Sequence, residues 1–470
     1  MDKNKELAKN TAIITVGKIC TQFMSFFLMP LYTAVLTTEE YGVVDLIVTY
    51  TSLFLPVLLF QVDHAVFRFL IDVRKDELGK KRIISTCMVF AAFQIVVSVV
   101  LFGIIQMFVT ADYKWFLLYN ILASIFANMM LQISRGFGDN VTYAFGSFLS
   151  AAVQIVGNLV FLVPLHMGVY GMLYATILSH IITAIFVFFK ERVYRYVSPK
   201  KFSKSTLKEV LRYSVPLIPN ALCWWVLNAS DRTIVMAFLG TAANGLLSIG
   251  HKFSSVYITF YNIFNLSWTE SAALHMNDSD RDVFFSGVIS NMIKLFMSAG
   301  IGIVACLPFV FPLMVNEKFS DAYGILPIFL LGSMLNIVVG LLSVVYVALK
   351  KTKEIAKTSI YSAIINIVIH LALIKFIGLY AAAVSTSVAF GAMAVYRYFD
   401  LKKYIKLTFP KKWILILAGV FCVTCACYYS GNMWLQAAAL VLVAVVAFIA
   451  NKGLITDGFE MIKNKLVKKK

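Results

Sequence analysis

Carboxylates are scarce in this chain: 24 Asp and Glu in 470 residues, with charged residues of both signs making up only 14%. Soluble globular domains carry about 25% charged residues. The deficit excludes a body held in water by its charged surface. Polar stretches long enough for a soluble domain are also missing, because the gaps between apolar runs are short. Cysteine is limited to Cys20, Cys87, Cys223, Cys306, Cys422, Cys425 and Cys427, all inside apolar runs. Nothing in their placement suggests a disulfide. Cys422, Cys425 and Cys427 have no His nearby and read as small buried residues of one helix, not as a metal cluster. Also absent are a Walker A loop, a G-x-S-x-G elbow, a G-x-G-x-x-G loop after a strand and metal-spaced His/Glu pairs. The expectation is a non-enzymatic protein with no cofactor and no ATP hydrolysis of its own.

What the chain does have is apolar residues, 60% of the total, with a mean hydropathy of +0.82. A bilayer is the solvent such a chain suits. Lipid requires backbone groups to pair internally, which leaves helices or closed barrels. The apolar runs are continuous, about 20 residues long, and do not alternate with period two, so helices are expected. They cover roughly 11–36, 41–66, 83–109, 115–135, 142–164, 169–190, 213–239, 243–268, 284–315, 323–349, 357–377, 379–399, 412–430 and 432–450. The fold class is therefore an all-α polytopic membrane protein of about fourteen transmembrane helices.

The cations give the orientation. With the N-terminus inside, the inside segments hold 35 of the 42 Lys and Arg, and the outside loops hold only Lys114 and Lys318. Lys18, Arg232, Lys252, Lys294 and Lys375 lie within the runs. This is a strong positive-inside signal with both termini cytoplasmic. The net charge of +18 then reflects topology and anionic lipid headgroups, with no nucleic-acid partner. The opening MDKNKELAKN reads as a retained tail, since no small-residue cleavage site follows a short apolar core.

A repeat divides the chain. Leu36-Thr37-Thr38-Glu39-Glu40-Tyr41-Gly42 and Leu239-Gly240-Thr241-Ala242-Ala243-Asn244-Gly245 both read L-x-T-x-x-x-G. Six runs separate them, which gives parallel copies related by a pseudo-two-fold along the membrane normal. Midway lies the most basic loop. Its second half places Leu207, Val210 and Leu211 at helical spacing, and a short helix lying on the inner membrane surface is expected there. The domains are then an N-lobe at 1–190, a basic linker at 191–212, a C-lobe at 213–406, and a final helix pair with a basic tail at 407–470.

Polar residues recur on single helical faces inside the runs. Lys18, Gln22 and Ser25 form one stripe, and Asp45, Thr49 and Ser52 another. The seventh run carries Asn228 and Asp231, and the eighth Lys252 and Ser255. Asn291 and Lys294 follow in the ninth, then Asn366 and His370 in the eleventh. A charge at the bilayer centre costs about 2.5–3.5 kcal/mol even on lenient scales. Such stripes must face one another or a water-filled cavity. Ser, Thr and Asn positions suit either helix–helix hydrogen bonding or cavity lining. For Lys18, Lys252 and Lys294, with Arg232 nearby and only Asp45 and Asp231 as obvious carboxylates, a cationic cavity for an anionic ligand is the expectation.

The stretch from Ser230-Asp231-Arg232 through Leu239-Gly240, Gly245 and Ser248 to Lys252 resembles the D-R-x(n)-L-G-x(4)-G-x-Y-S-x-x-x-K segment of bacterial Wzx-type polysaccharide flippases. These belong to the multidrug/oligosaccharidyl-lipid/polysaccharide (MOP) exporter superfamily. Phe27-Leu28-Met29-Pro30-Leu31-Tyr32-Thr33, Glu40-Tyr41-Gly42 and Arg68-Phe69 are similar too, and the likeness covers most of the chain. Leu247 departs from it, standing where the family has Tyr. The resemblance implies two lobes with alternating access in the bacterial cytoplasmic membrane. Its substrate would be an undecaprenyl-pyrophosphate-linked oligosaccharide moved from inner to outer leaflet for O-antigen, capsule or exopolysaccharide assembly. It also implies a polysaccharide polymerase and glycosyltransferases as partners. Lys18, Arg232, Lys252 and Lys294 would meet the pyrophosphate. Gln22, Asn228, Ser255, Asn291, Asn366 and His370 would line the cavity, and Asp45 or Asp231 would couple an ion. The last helix pair would form a lipid-tail groove, as in the similar lipid II flippases. A flippase for lipid II or spore-wall precursors, and a multidrug antiporter of the same superfamily, are the alternatives.

Overall fold

The computed structural model describes residues 26–108 and 112–456, with the side chains of all but Leu227, Asn228, Leu266 and Thr352. Among the described residues the fold is all-α. The helices are α1 (Met29–Val35), α2 (Thr38–Leu58), α3 (Val62–Asp72), α4 (Glu77–Ile105), α5 (Lys114–Phe137), α6 (Asn140–Leu162), α7 (Gly168–Lys190) and α8 (Lys204–Ser214). The helical stretch Ile218–Leu274 breaks only at Gly240, which has φ 86° and ψ 179°. Its parts are α9 (218–239) and α10 (241–274). Next come α11 (Arg281–Met314), α12 (Leu326–Ala348), α13 (Thr352–Ile377), α14 (Tyr380–Leu401), α15 (Lys411–Tyr429) and α16 (Met433–Ala450).

Eleven of the described helices are long and apolar enough to cross a bilayer. The difference from fourteen has three sources. Most of the first run lies outside the described residues. The continuous stretch Ala229–Leu274 counts once. The Ala-, Ser- and Tyr-rich α14 is less apolar and does not count. The chain is a multi-pass membrane protein, and its outward surface fits lipid. Phe93, Val96, Val100 and Ile104 on one side of α4 are each more than half exposed, a stripe that water would penalise and hydrocarbon accepts.

The chain forms two compact units, Met1–Ser248 and Ile249–Lys470. In the first, Val62, Val66 and Leu70 of α3 pack with Ile84 and Cys87 of α4 and Ile125, Met129 and Ile133 of α5. The second run is not one long helix. Phe60 and Gln61 adopt left-handed φ values of 52° and 56°, which ends α2 and starts α3. Arg68, read from sequence at the inner end of the second helix, lies within α3 and pairs with Asp72 at 2.7 Å.

The basic segment after α7 is a fixed strap. Ser85 Oγ donates to the Tyr196 carbonyl at 2.7 Å and accepts from the Ser198 amide at 2.9 Å. The Ser203 amide donates to Thr86 Oγ1 at 3.2 Å. α8 begins where the sequence places it, with Ser203 Oγ capping the Thr206 amide. Its apolar face is covered by protein. Val210 is fully buried, with Leu207 and Leu211 packed against the α3–α4–α5 core. The protein supplies a closer-packed cover for that face than headgroups can.

In the second unit Tyr257 of α10 donates to the Phe296 carbonyl of α11 at 2.6 Å. Trp268 Nε1 of α10 donates to the Leu341 carbonyl of α12 at 3.3 Å. Arg397, at the inner end of the run 379–399, is in α14 and only 2% exposed. Its guanidinium donates to Thr358 and the Ile355 carbonyl on α13 and to Ser343 and the Val339 carbonyl on α12. The final helix pair is pinned at both ends. Tyr428 and Tyr429 of α15 donate to the Tyr323 and Gly324 carbonyls at 2.8 and 2.7 Å. Just beyond α16, Asn451 Nδ2 donates to Ser298 Oγ of α11 at 3.0 Å.

Candidate functional site

The two copies of the repeat touch. Both place their Thr, Thr38 and Thr241, as the first residue of a helix, and both Gly residues lie in the second turn. A Cβ added to Gly42 would overlap the Thr241 carbonyl oxygen, and one added to Gly245 would overlap the Thr38 carbonyl oxygen. The contact is reciprocal, as a local two-fold requires. Only glycine permits this backbone-to-backbone approach of α2 and α10.

Polar groups brace the crossing. Arg232 Nε of α9 pairs with Asp45 Oδ2 of α2 at 2.7 Å, with side chains 15% and 20% exposed. Asn244 Nδ2 donates to the Gly42 carbonyl at 3.1 Å and to Asp45 Oδ2 at 3.4 Å. Further along, Trp225 Nε1 donates to the Thr49 carbonyl at 3.1 Å. Of the sequence candidates, Arg232 and Asp45 are thus brought together as each other's partners. Asp231 is buried, and its carboxylate accepts the Arg232 backbone amide at 2.9 Å. Asn244, absent from the sequence candidates, sits inside the second repeat copy. Its signal was the repeat itself, had the two copies been expected to meet.

In the second unit the two lysines stand at different depths. Tyr257 and Phe296 are level through their hydrogen bond. Lys252 precedes Tyr257 by five residues on α10, and Lys294 precedes Phe296 by two on antiparallel α11. At about 1.5 Å per residue, they are separated by about 10 Å along the helices. Both are half-buried. Ser255 Oγ donates to the Lys252 carbonyl at 2.8 Å and Ser298 Oγ to the Lys294 carbonyl at 2.6 Å. Asn291 is half-buried one turn before Lys294.

The eleventh-run stripe packs on α14. Asn366 is 3% exposed and donates to Thr386 Oγ1 at 3.1 Å, and Ser362 Oγ donates to the Ala389 carbonyl at 3.1 Å. His370, fully buried, is on the same face. Asn366 and Ser362 thus serve in helix–helix hydrogen bonding, one of the two roles open to such residues. Lys18 and Gln22 lie outside the described residues, as does the side chain of Asn228.

An apolar groove of about 670 Å³ runs between α11 and α16. Leu295, Ala299 and Gly302 form one wall, and Val443, Ala447 and Phe448 the other. Lys294 lies about a third of a turn around α11 from the groove wall.

Known structures share this fold. The lipid II flippase MurJ in its inward closed conformation matches with a TM-score of 0.66 at 16% identity, over 94% of this chain and 100% of that one. An inward-facing multidrug resistance transporter of the MATE family in the MOP superfamily matches with a TM-score of 0.65 at 16% identity, over 81% and 95%. In sequence, the chain is 19% identical over 422 residues to an uncharacterized membrane protein of Methanocaldococcus jannaschii, covering 85% of this chain and 99% of that protein. The profile of the polysaccharide biosynthesis protein family matches residues 7–269, over half of the sequence and including both repeat copies, and the chain belongs to that family.

Proposed function

We propose that this chain is a flippase of the bacterial cytoplasmic membrane. It carries an undecaprenyl-pyrophosphate-linked oligosaccharide from the inner to the outer leaflet for surface polysaccharide assembly. The observation that carries this reading is the division of α11. One face lines the apolar groove, and a third of a turn away stands Lys294. Such a helix suits an amphiphile with a long apolar chain and an anionic head. Lys252, about 10 Å along, offers the head a second cation. The family supplies the polysaccharide context.

Alternating access gives the reciprocal glycine crossing a role. It closes the cation-poor side while the other side loads, and the Asp45–Arg232 pair braces that closure. Opening separates the pair and frees Arg232 for the pyrophosphate. Asp45 then couples an ion in its place.

The test is rescue of a strain lacking its polysaccharide flippase. Wild-type chain should restore surface polysaccharide. The Lys252→Ala/Lys294→Ala variant, at equal abundance, should restore at least tenfold less while lipid-linked oligosaccharide accumulates inside. Full restoration by that variant overturns the site. Rescue of a lipid II flippase mutant instead would assign the peptidoglycan precursor. Resistance to cationic dyes without polysaccharide rescue would assign a multidrug exporter.

A further inference from the structure

We propose that the strap and helix at 190–212 form a docking surface for anionic phospholipid headgroups. The segment holds eight Lys and Arg against two Glu. Arg192, Lys200, Lys201, Lys204, Lys208 and Arg212 are all exposed. Among the described residues none of these six forms an ion pair. Glu191 is turned away from them. Its carboxylate accepts from Ser134 Oγ at 2.9 Å, and burial holds its pKa above the ordinary carboxylate range. Glu209 is left as the one exposed acid of the segment.

The basic end of the second unit is built differently. There Lys403 pairs with Asp400 at 2.8 Å. Lys351 lies over the Tyr404 ring at 4.3 Å and Lys402 over Tyr398 at 4.4 Å. Those cations have partners within the protein. The six strap cations are instead presented outward.

Three features fit a lipid surface. Lys204, Lys208 and Arg212 form an i, i+4, i+8 row about 12 Å long, which spreads charge over several headgroups and does not focus it on one anion. Phe189, Tyr194 and Tyr213 are 63%, 46% and 42% exposed among the cations, as expected of aromatics at a membrane interface. The segment is also held rigid through Ser85, Thr86 and buried Val193 and Val210. Headgroup binding therefore costs little ordering and stabilises the N-terminal unit to which the strap is fastened.

The experiment uses the full chain in nanodiscs of phosphatidylcholine, with and without phosphatidylglycerol. Anionic lipid should raise the melting temperature of the wild type, and high salt should shrink the rise. Lys200→Ala/Lys201→Ala/Lys204→Ala/Lys208→Ala should lose at least half of it while melting like wild type in the neutral discs. Lys351→Ala/Lys402→Ala should keep it. Affinity for labelled phosphatidylglycerol should fall roughly fivefold per cation removed. If the fourfold variant melts low in neutral discs, Lys204→Ala/Lys208→Ala is read by the same criterion at half the effect. A full rise in the strap variants overturns the proposal. So does an equal loss in Lys351→Ala/Lys402→Ala, or abolition of the rise by inorganic pyrophosphate at matched ionic strength, which would mark a substrate-head site. This inference stands apart from the flippase reading, because no step of the test measures transport.

Discussion

Gly42 and Gly245 show how much can rest on one missing methyl group. Each faces a backbone carbonyl of the other repeat copy, and backbone cannot swing aside as a long side chain can. Gly42→Ala or Gly245→Ala should therefore destabilise the chain by about 1–3 kcal/mol, the usual cost of overpacking. Gly103 and Gly287, whose added Cβ would meet nothing within 4 Å, are the controls. Alanine there should be neutral or stabilise by up to about 1 kcal/mol through helix propensity. Thermal melts of the four variants separate the cases. Arg397 is the opposite kind of residue, a large cation satisfied wholly by neutral groups. Removing it strands little, since Ser343 and Thr358 already donate to the Val339 and Glu354 carbonyls. Arg397→Met should cost about 1.5–3 kcal/mol, the worth of its charged hydrogen bonds. Arg397→Lys should recover only part, because an ammonium cannot span α12 and α13 as the planar fork does.

At the level of elements, the strap after α7 changes how the basic midpoint segment acts. Hydrogen bonds from Ser85 and Thr86 and the burial of Val210 make it part of the N-terminal unit. Val210→Asp puts a carboxylate into that apolar core, where a charge is strongly penalised. Trypsin sites at Arg192, Arg195, Lys200 and Lys201 should then be cut at least several-fold faster than in wild type, while sites in the second unit keep their rates. Peptide mapping during limited digestion checks this. Equal rates would show that the strap opens without regard to α8.

For the molecule as a whole, the groove between α11 and α16 is where transport and packing can be told apart. Gly302→Trp or Val443→Trp would fill it from either wall without touching Lys252 or Lys294. Surface polysaccharide should fall about tenfold or more, with the protein still folded and at normal abundance. Unchanged polysaccharide would remove the groove from the transport path and leave only the cations.

The sequence by itself determined the all-α membrane fold, because a bilayer admits few solutions for a chain with so many long apolar runs and so few charges. It also located the start of α8, the repeat, and the ionisable residues Asp45, Arg232, Lys252 and Lys294, since each departs from its apolar surroundings. Only the tertiary structure decided which of these meet. Periodicity gives the face on which a residue lies, not what packs on that face. So Asn366 turned out to hold α14, the apolar side of α8 turned out to be covered by protein, and Arg397, at the end of its run, turned out to be buried among neutral partners. Two glycines 203 residues apart in a weak repeat became a backbone contact, because close approach depends on the path of both helices, which no local pattern records.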